Sequence, residues 1–334
     1  MSRFDWSSRL KNAAWSYALR SRPIIKLGER FPGVTVLTRR DDVADVFARH
    51  EEFSVATYGV RLKACIGPSV LGMADGPVYR RELNLMRSVV RREDAALIRG
   101  LVAGFAGELI DQSTRYKARI DLVSELCDPI ALRFIESYYG LPDPGQGQLL
   151  RWLRMLSYYV FNLYFLTGPK VEIPTIRGCE SLLAHAQQVA RSREGQSDER
   201  DILGRLLGRV RDPALGFDVN DVARILLSFI SGGTPRSSRV GRPAHERLLF
   251  GDSLHRCFGE HIGMELVTQV VKSVLALPQL TRAPGAEGRV QTGDKDRYPD
   301  FFYPARMMAD VNREESSDAS DAHRHGFQAA AAAE

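Results

Sequence analysis

Cysteine is scarce: four residues in 334, Cys65, Cys127, Cys179 and Cys257. No two are spaced C-x-x-C, which argues against a structural zinc site. So few in so long a chain argue against the disulfide frameworks of small secreted domains. Reduced, intracellular thiols are the reading that remains. Long apolar runs are also missing. The most apolar stretch, Met155–Leu166, has 12 residues and includes Ser157 and Asn162, short of the roughly 20 that a spanning helix needs. The N-terminal stretch through Pro23 has no apolar core of a signal peptide, so the sequence reads as soluble and cytoplasmic, with no transmembrane segment. Charge of one sign is barely in excess: 46 Lys and Arg against 41 Asp and Glu, a formal net charge of +5. No stretch interleaves basic with aromatic residues, so nucleic acid is not the expected partner. There is no internal repeat. At 44% hydrophobic and 26% charged residues, the composition is that of an ordinary globular protein, not a disordered or fibrous one.

The pattern along the chain is mostly helical. Two β-prone runs between Pro23 and Thr38 flank a Pro32-Gly33 turn and predict a hairpin. Thr38 and Asp41 have capping-box spacing before an apolar periodic run. Helices are expected over Val78–Val90, Glu93–Gln112, about Pro129–Tyr139, Gly147–Leu166, Ile176–Arg193, Asp201–Val210, Asn220–Ile230 and His261–Ala276. Loops fall at Leu141–Gly145 and Ser192–Arg200. Residues 1–311 read as one domain. From Asn312 the chain is polar and then Ala-rich, without apolar content to pack, and reads as a disordered tail.

One segment carries chemistry. Residues 250–259 read Phe-Gly-Asp-Ser-Leu-His-Arg-Cys-Phe-Gly and run directly into an amphipathic helix. A cysteine ligates metal as thiolate, and that charge needs stabilising. A helix N-terminus just beyond Cys257 provides free N–H groups and the positive end of the dipole. Gly251 and Gly259 let the backbone approach a large flat ligand, and His255 and Arg256 add donors beside the sulfur. The other reading is a buried free cysteine at a helix start.

This segment resembles the cysteine-ligand loop of the cytochrome P450 family, of bacterial type. The pattern F-G-x-G-x-H-x-C-x-G is met by Phe250, Gly251, His255, Cys257 and Gly259, with Ser253 in place of the middle glycine. The resemblance extends over about residues 20–310. Asp41–Ser54 is similar to the B helix, Gly72–Arg87 to the start of the C helix over one haem face, Tyr138–Pro142 to the end of the E helix, and Leu280–Arg289 to the C-terminal β hairpin. It implies a mainly α, P450-like fold with a small β element. It also implies haem b (iron protoporphyrin IX) with Cys257 as axial ligand to the metal. A thiolate in that place favours O–O cleavage. The implied activity is a monooxygenase that oxidises a small apolar substrate with O₂ and electrons from a ferredoxin- or flavin-type donor.

In the family, C-helix basic residues pair the haem propionates. Arg80 and Arg87 are the candidates here, on one helix face, and their planar forks suit carboxylates; the alternative is that they are surface arginines. His255 is a third propionate candidate. Asp221–Ser238 resembles the oxygen-binding I helix. Gly232 and Gly233 match the small residues that make room beside the iron. Pro235 stands at the family's acid position and Arg236 at its threonine, which leaves Thr234 and Ser237 as the hydroxyls for a proton relay. The alternative for Gly232–Pro235 is a helix stop. The aromatic run Tyr158–Phe165 reads either as a lid over an apolar substrate or as core.

The family's K-helix region is missing. Cys257 lies only 23 positions after Thr234, an interval several times longer in the family. No Glu-x-x-Arg, the K-helix ion pair, occurs anywhere in the chain. An internal deletion near residues 237–241 is the plain explanation, so the fold is expected to be incomplete. The N-terminal hairpin would then keep an open edge, and the haem would lose part of its wall. Two alternatives to a monooxygenase follow: a peroxide-using or isomerising P450-fold enzyme, suggested by Pro235, and a degenerate, inactive remnant.

Overall fold

The computed structural model describes residues 17, 21, 24–26, 35–115, 117–161, 169–196, 198–231, 250–251, 253–292 and 304–311. The hairpin forms as expected. β1 (Ile24–Lys26) pairs antiparallel with β2 (Thr35–Leu37), Ile25 opposite Val36. α1 (Arg40–Ala48) starts one residue later than a Thr38 cap predicts, with extended Arg39 as N-cap, whose own side chain makes no capping bond. Asp41 and Asp42 in its first turn meet the helix dipole directly.

α2 (Ala56–Cys65) is a helix the periodicity did not suggest. It buries only Arg61, Leu62 and Cys65, too few apolar positions to show a stripe. Its backbone runs against the tight turn Val70–Gly72. A Cβ on Gly72 would stand 2.3 Å from the Gly59 amide nitrogen, and one on Gly59 would stand 2.4 Å from the Gly72 carbonyl oxygen. Only a pair of glycines allows this crossing.

α3 (Pro77–Val89) has proline at its start, where the missing N–H costs nothing. It buries Tyr79, Glu82, Leu83, Leu85, Met86 and Val89. α4 (Ala95–Thr114) buries Ile98, Val102, Ala106 and Leu109, spaced by helical turns. It packs along α10 (Glu260–Leu275). Between them in sequence, α5 (Asp128–Phe134) is flanked by π-helical turns Leu122–Cys127 and Ile135–Tyr139. The run ends at Gly140 with φ 79°, a left-handed helix stop that favours glycine.

α6 (Gln148–Phe161), α7 (Pro169–Ser192) and α9 (Val219–Ser231) pack together, with α8 (Ile202–Arg209) against α9. The expected start of α7 at Ile176 is corrected: the helix begins seven residues earlier and carries Pro174 inside it. Pro174 removes one backbone bond near the helix start. The buried stripe Val171, Thr175, Cys179, Leu182, Ala186 and Ala190 holds the helix across it.

Two small sheets lie C-terminally. β3 (Arg119–Asp121) and β4 (Thr281–Arg282) flank β7 (Met308–Asp310), all antiparallel. β5 (Gln291–Thr292) pairs with β6 (Pro304–Arg306). The hairpin expected within Leu280–Arg289 is therefore corrected. That segment gives one short strand, whose partner is β7, and then turns so tightly that a Cβ on Gly288 would lie 2.0 Å from the Ala283 carbonyl oxygen. A buried polar network ties the helices. The Arg205 guanidinium donates to both Asp94 oxygens, at 2.5 and 3.1 Å, and the Tyr138 hydroxyl donates to Asp94 at 2.9 Å.

Candidate functional site

The loop before α10 is closed by one backbone bond: the Cys257 N–H donates to the Phe250 carbonyl at 2.8 Å. Gly251 has φ 71°, and a Cβ there would meet the His255 carbonyl oxygen at 3.1 Å. Both the left-handed backbone and the tight contact favour glycine at this position. Ser253, the departure from the family pattern, has φ 53°. Its left-handed backbone shows why glycine belongs there and costs an L-residue about 1–2 kcal/mol. A single turn, Ser253–His255, follows. α10 then starts at Glu260 with Gly259 as N-cap. A Cβ on Gly259 would make only ordinary contacts, 3.8 Å from the Cys257 sulfur and 3.9 Å from Ile262, so no protein atom requires glycine there.

The Cys257 side chain is exposed. Burial holds the Cys257 thiol above its ordinary range; the Gly259 amide, donating to the sulfur, opposes this, and Glu260 adds to it. Beneath the loop, Phe258 meets Phe229 of α9 edge-on at 5.6 Å, and Phe229 lies 6.4 Å from Tyr139. Tyr139 is buried, and burial, with Cys257 adding, pushes its hydroxyl up.

α3 is fastened to the loop by Tyr79. Its hydroxyl donates to the Leu254 carbonyl at 3.2 Å, and its ring meets His255 edge-on at 5.7 Å. Burial lowers the His255 imidazole, nearby His50 adds to this, and Asp75 opposes it. Arg80 and Arg87 both lie exposed on α3, but in different circumstances. The Arg80 fork is taken by Asp75, at 2.8 and 2.5 Å. Arg87 has no carboxylate partner among the described residues, and its charge reaches Tyr79. The structure thus brings together Phe250, Gly251, His255, Cys257, Gly259 and the helix of Arg80 and Arg87. Gly232, Gly233, Thr234 and Ser237, like the proposed junction at 237–241, lie outside the described residues.

Tyr79, Phe229 and His50 are parts of this neighbourhood that the sequence did not single out. Tyr79 and Phe229 sit on the buried stripes of their helices and read as core. Among the described residues, no three His, Cys, Asp or Glu side chains converge as ligands for a bare metal ion. A lone protein sulfur suits a group that brings its own equatorial donors, as a porphyrin does. Unpaired Arg87 and His255 beside it suit that group's carboxylates. The residues present fit haem on the sulfur side.

No protein-family model matches the chain, and no curated protein matches it. Solved structures do match. The crystal structure of CalO2 superposes with TM-score 0.71 at 14% identity, over 93% of this chain and 98% of that one. P450BioI, in complex with an acyl carrier protein ligated to hexadec-9Z-enoic acid, gives 0.70 at 16%, over 91% and 100%. Epothilone B-bound cytochrome P450epoK gives 0.70 at 14%, over 90% and 96%. The chain has the cytochrome P450 fold: mainly helical, with small antiparallel sheets. No helix among the described residues is long and apolar enough to cross a membrane.

Proposed function

We propose that the chain is a haem-thiolate oxidoreductase of the P450 type with Cys257 as the axial ligand. The observation that carries this reading is the exposed Cys257 sulfur just ahead of α10, with the Gly259 amide on it, in a chain of P450 fold. Haem b, when bound, supplies oxidation of an unactivated carbon by O₂. The chain's residues do the rest. The Gly259 N–H and the start of α10 favour the sulfur anion. Tyr79 keeps the loop in register with α3. Arg87 and His255 donate to the propionates, while Arg80 would first have to leave Asp75. Thr234 and Ser237 are the proposed hydroxyls for moving a proton, and Gly232 and Gly233 the proposed small residues that would make room beside the iron. The proposed substrate is a small apolar molecule, and the proposed electron donor is of ferredoxin or flavin type.

The test is the absorption spectrum of the haem-supplied, reduced protein under carbon monoxide. A strongly red-shifted Soret band is expected. No haem signal, or only the band of a neutral ligand, would overturn the reading and leave a remnant of the fold. Arg87→Ala is expected to weaken haem binding about tenfold, as for loss of a hydrogen bond to a charged group; unchanged affinity would remove Arg87 from the site. Pro235 and Arg236 at the relay positions favour a second reading, in which a peroxide replaces O₂ and reductase. Turnover with peroxide alone, and none with O₂ and a competent reductase, would select it.

A further inference from the structure

His50 lies just past α1, which packs against the Ser253–His255 turn. Its Nδ1 is buried and has no hydrogen-bond partner. Leaving such an atom unmatched costs about 1–3 kcal/mol, and native structures contain few of them. The surroundings explain what is missing. His50 is close enough to His255 and Asp75 to act on the charge of both. His255 touches the Tyr79 ring and makes no hydrogen bond to a carboxylate among the described residues. Arg87, two turns further along α3 with its charge reaching Tyr79, is likewise without one. The carboxylate in this group, Asp75, is occupied by the Arg80 fork. The two imidazoles and the guanidinium thus have no free carboxylate among the described residues, and one imidazole nitrogen is already out of water. Such a set lacks a carboxylate.

We propose that the His50 Nδ1–H donates to a carboxylate of the bound macrocycle, so that the end of α1 anchors haem together with α3 and the cysteine loop. This rests on the haem reading above. It assigns a binding role to a residue of the B-helix-like stretch Asp41–Ser54, outside the three segments that resemble the family's haem site.

The test compares haemin with haemin dimethyl ester, whose carboxylates are masked, in Soret titrations of the full chain. Wild type, His50→Ala and His50→Gln are compared. His50→Ala is expected to weaken haemin about tenfold, the loss of one charge-assisted hydrogen bond. His50→Gln, whose amide still donates, recovers most of that, and the ester binds all three proteins alike. Equal haemin affinity in all three overturns the proposal. An equal loss with haemin and ester also overturns it, because His50 then acts through packing. Should His50→Ala fail to fold, His50→Leu, which keeps bulk without a donor, takes its place in the comparison with His50→Gln: a loss with haemin alone in the Leu variant, recovered in Gln, supports a donor, and equal haemin affinity or a loss shared with the ester sinks it. A wild-type protein that binds neither compound removes the haem reading itself, an outcome separate from the others.

Discussion

Cys257→Ala is expected to abolish the red-shifted Soret band of the reduced, carbon-monoxide-treated protein. The effect is all-or-none because no other sulfur can take its place. Cys65 and Cys179 are buried in the core, and Cys127, though exposed, belongs to the π-helical turn Leu122–Cys127 and not to the loop ahead of α10. The backbone bond from residue 257 to Phe250 needs no side chain, and the replaced group is exposed. Stability should therefore stay within about 0.5 kcal/mol of wild type, as for surface substitutions in general. Haem held by its carboxylates can remain, but with the band of a neutral ligand. An unchanged spectrum would show that the iron has another axial partner. A collapse in thermal stability would show that Cys257 is structural, the alternative its position before a helix allows.

Asp94→Ala is expected to destabilise the fold by about 3–5 kcal/mol, the cost of leaving one member of a buried ion pair alone. Against a typical total of about 5–15 kcal/mol, this is the largest single-residue effect on stability that the structure suggests. Arg205 has 5% of its side chain exposed. It also donates to the backbone carbonyls of Glu199 and Val89, so it is not free to swing into water. The carboxylate's pH dependence gives a second readout. Burial pushes Asp94 up, but hydrogen bonds from Arg205 and Tyr138, with the charges of Arg205 and Arg91, outweigh it and hold the group below the usual carboxylate range. A carboxyl lowered in the folded state stabilises fully above its unfolded pKa, about 3.9. That contribution is lost as pH falls through the folded value. The gap between wild type and Asp94→Ala in urea midpoint should thus be widest near neutral pH and close below about pH 4. A gap independent of pH would mean that the pair contributes by packing alone.

The sequence exposed most of the helices because each carries its own apolar stripe. Val78–Val90, Asp201–Val210, Asn220–Ile230 and His261–Ala276 each lie within a residue or so of the observed bounds. α2 escaped notice because its constraint is a glycine contact with another segment, which leaves no periodic mark. The helix expected from Ile176 begins earlier, through Pro174, because a buried stripe on both sides of the proline overrides local propensity. The cysteine loop was legible because its residues are consecutive, and Ser253 shows the conformation that the missing glycine serves. Tyr79, Phe229 and His50 reach the loop only through tertiary packing. Nothing in their local sequence separates them from ordinary core or surface residues.

The sheet of β3, β7 and β4 has its middle strand at the far end of the chain. Arg119 and Asp310, which pair across it, are 191 residues apart. Closing so long a loop is entropically uphill before any contact rewards it, and distant pairings slow folding. During synthesis, α2 to α9 emerge and pack while β3 still waits for its partner. Besides the N-terminal hairpin, the newborn chain therefore offers Arg119–Asp121 as an edge to a chaperone, or to another nascent copy, until residues 308–310 clear the ribosome.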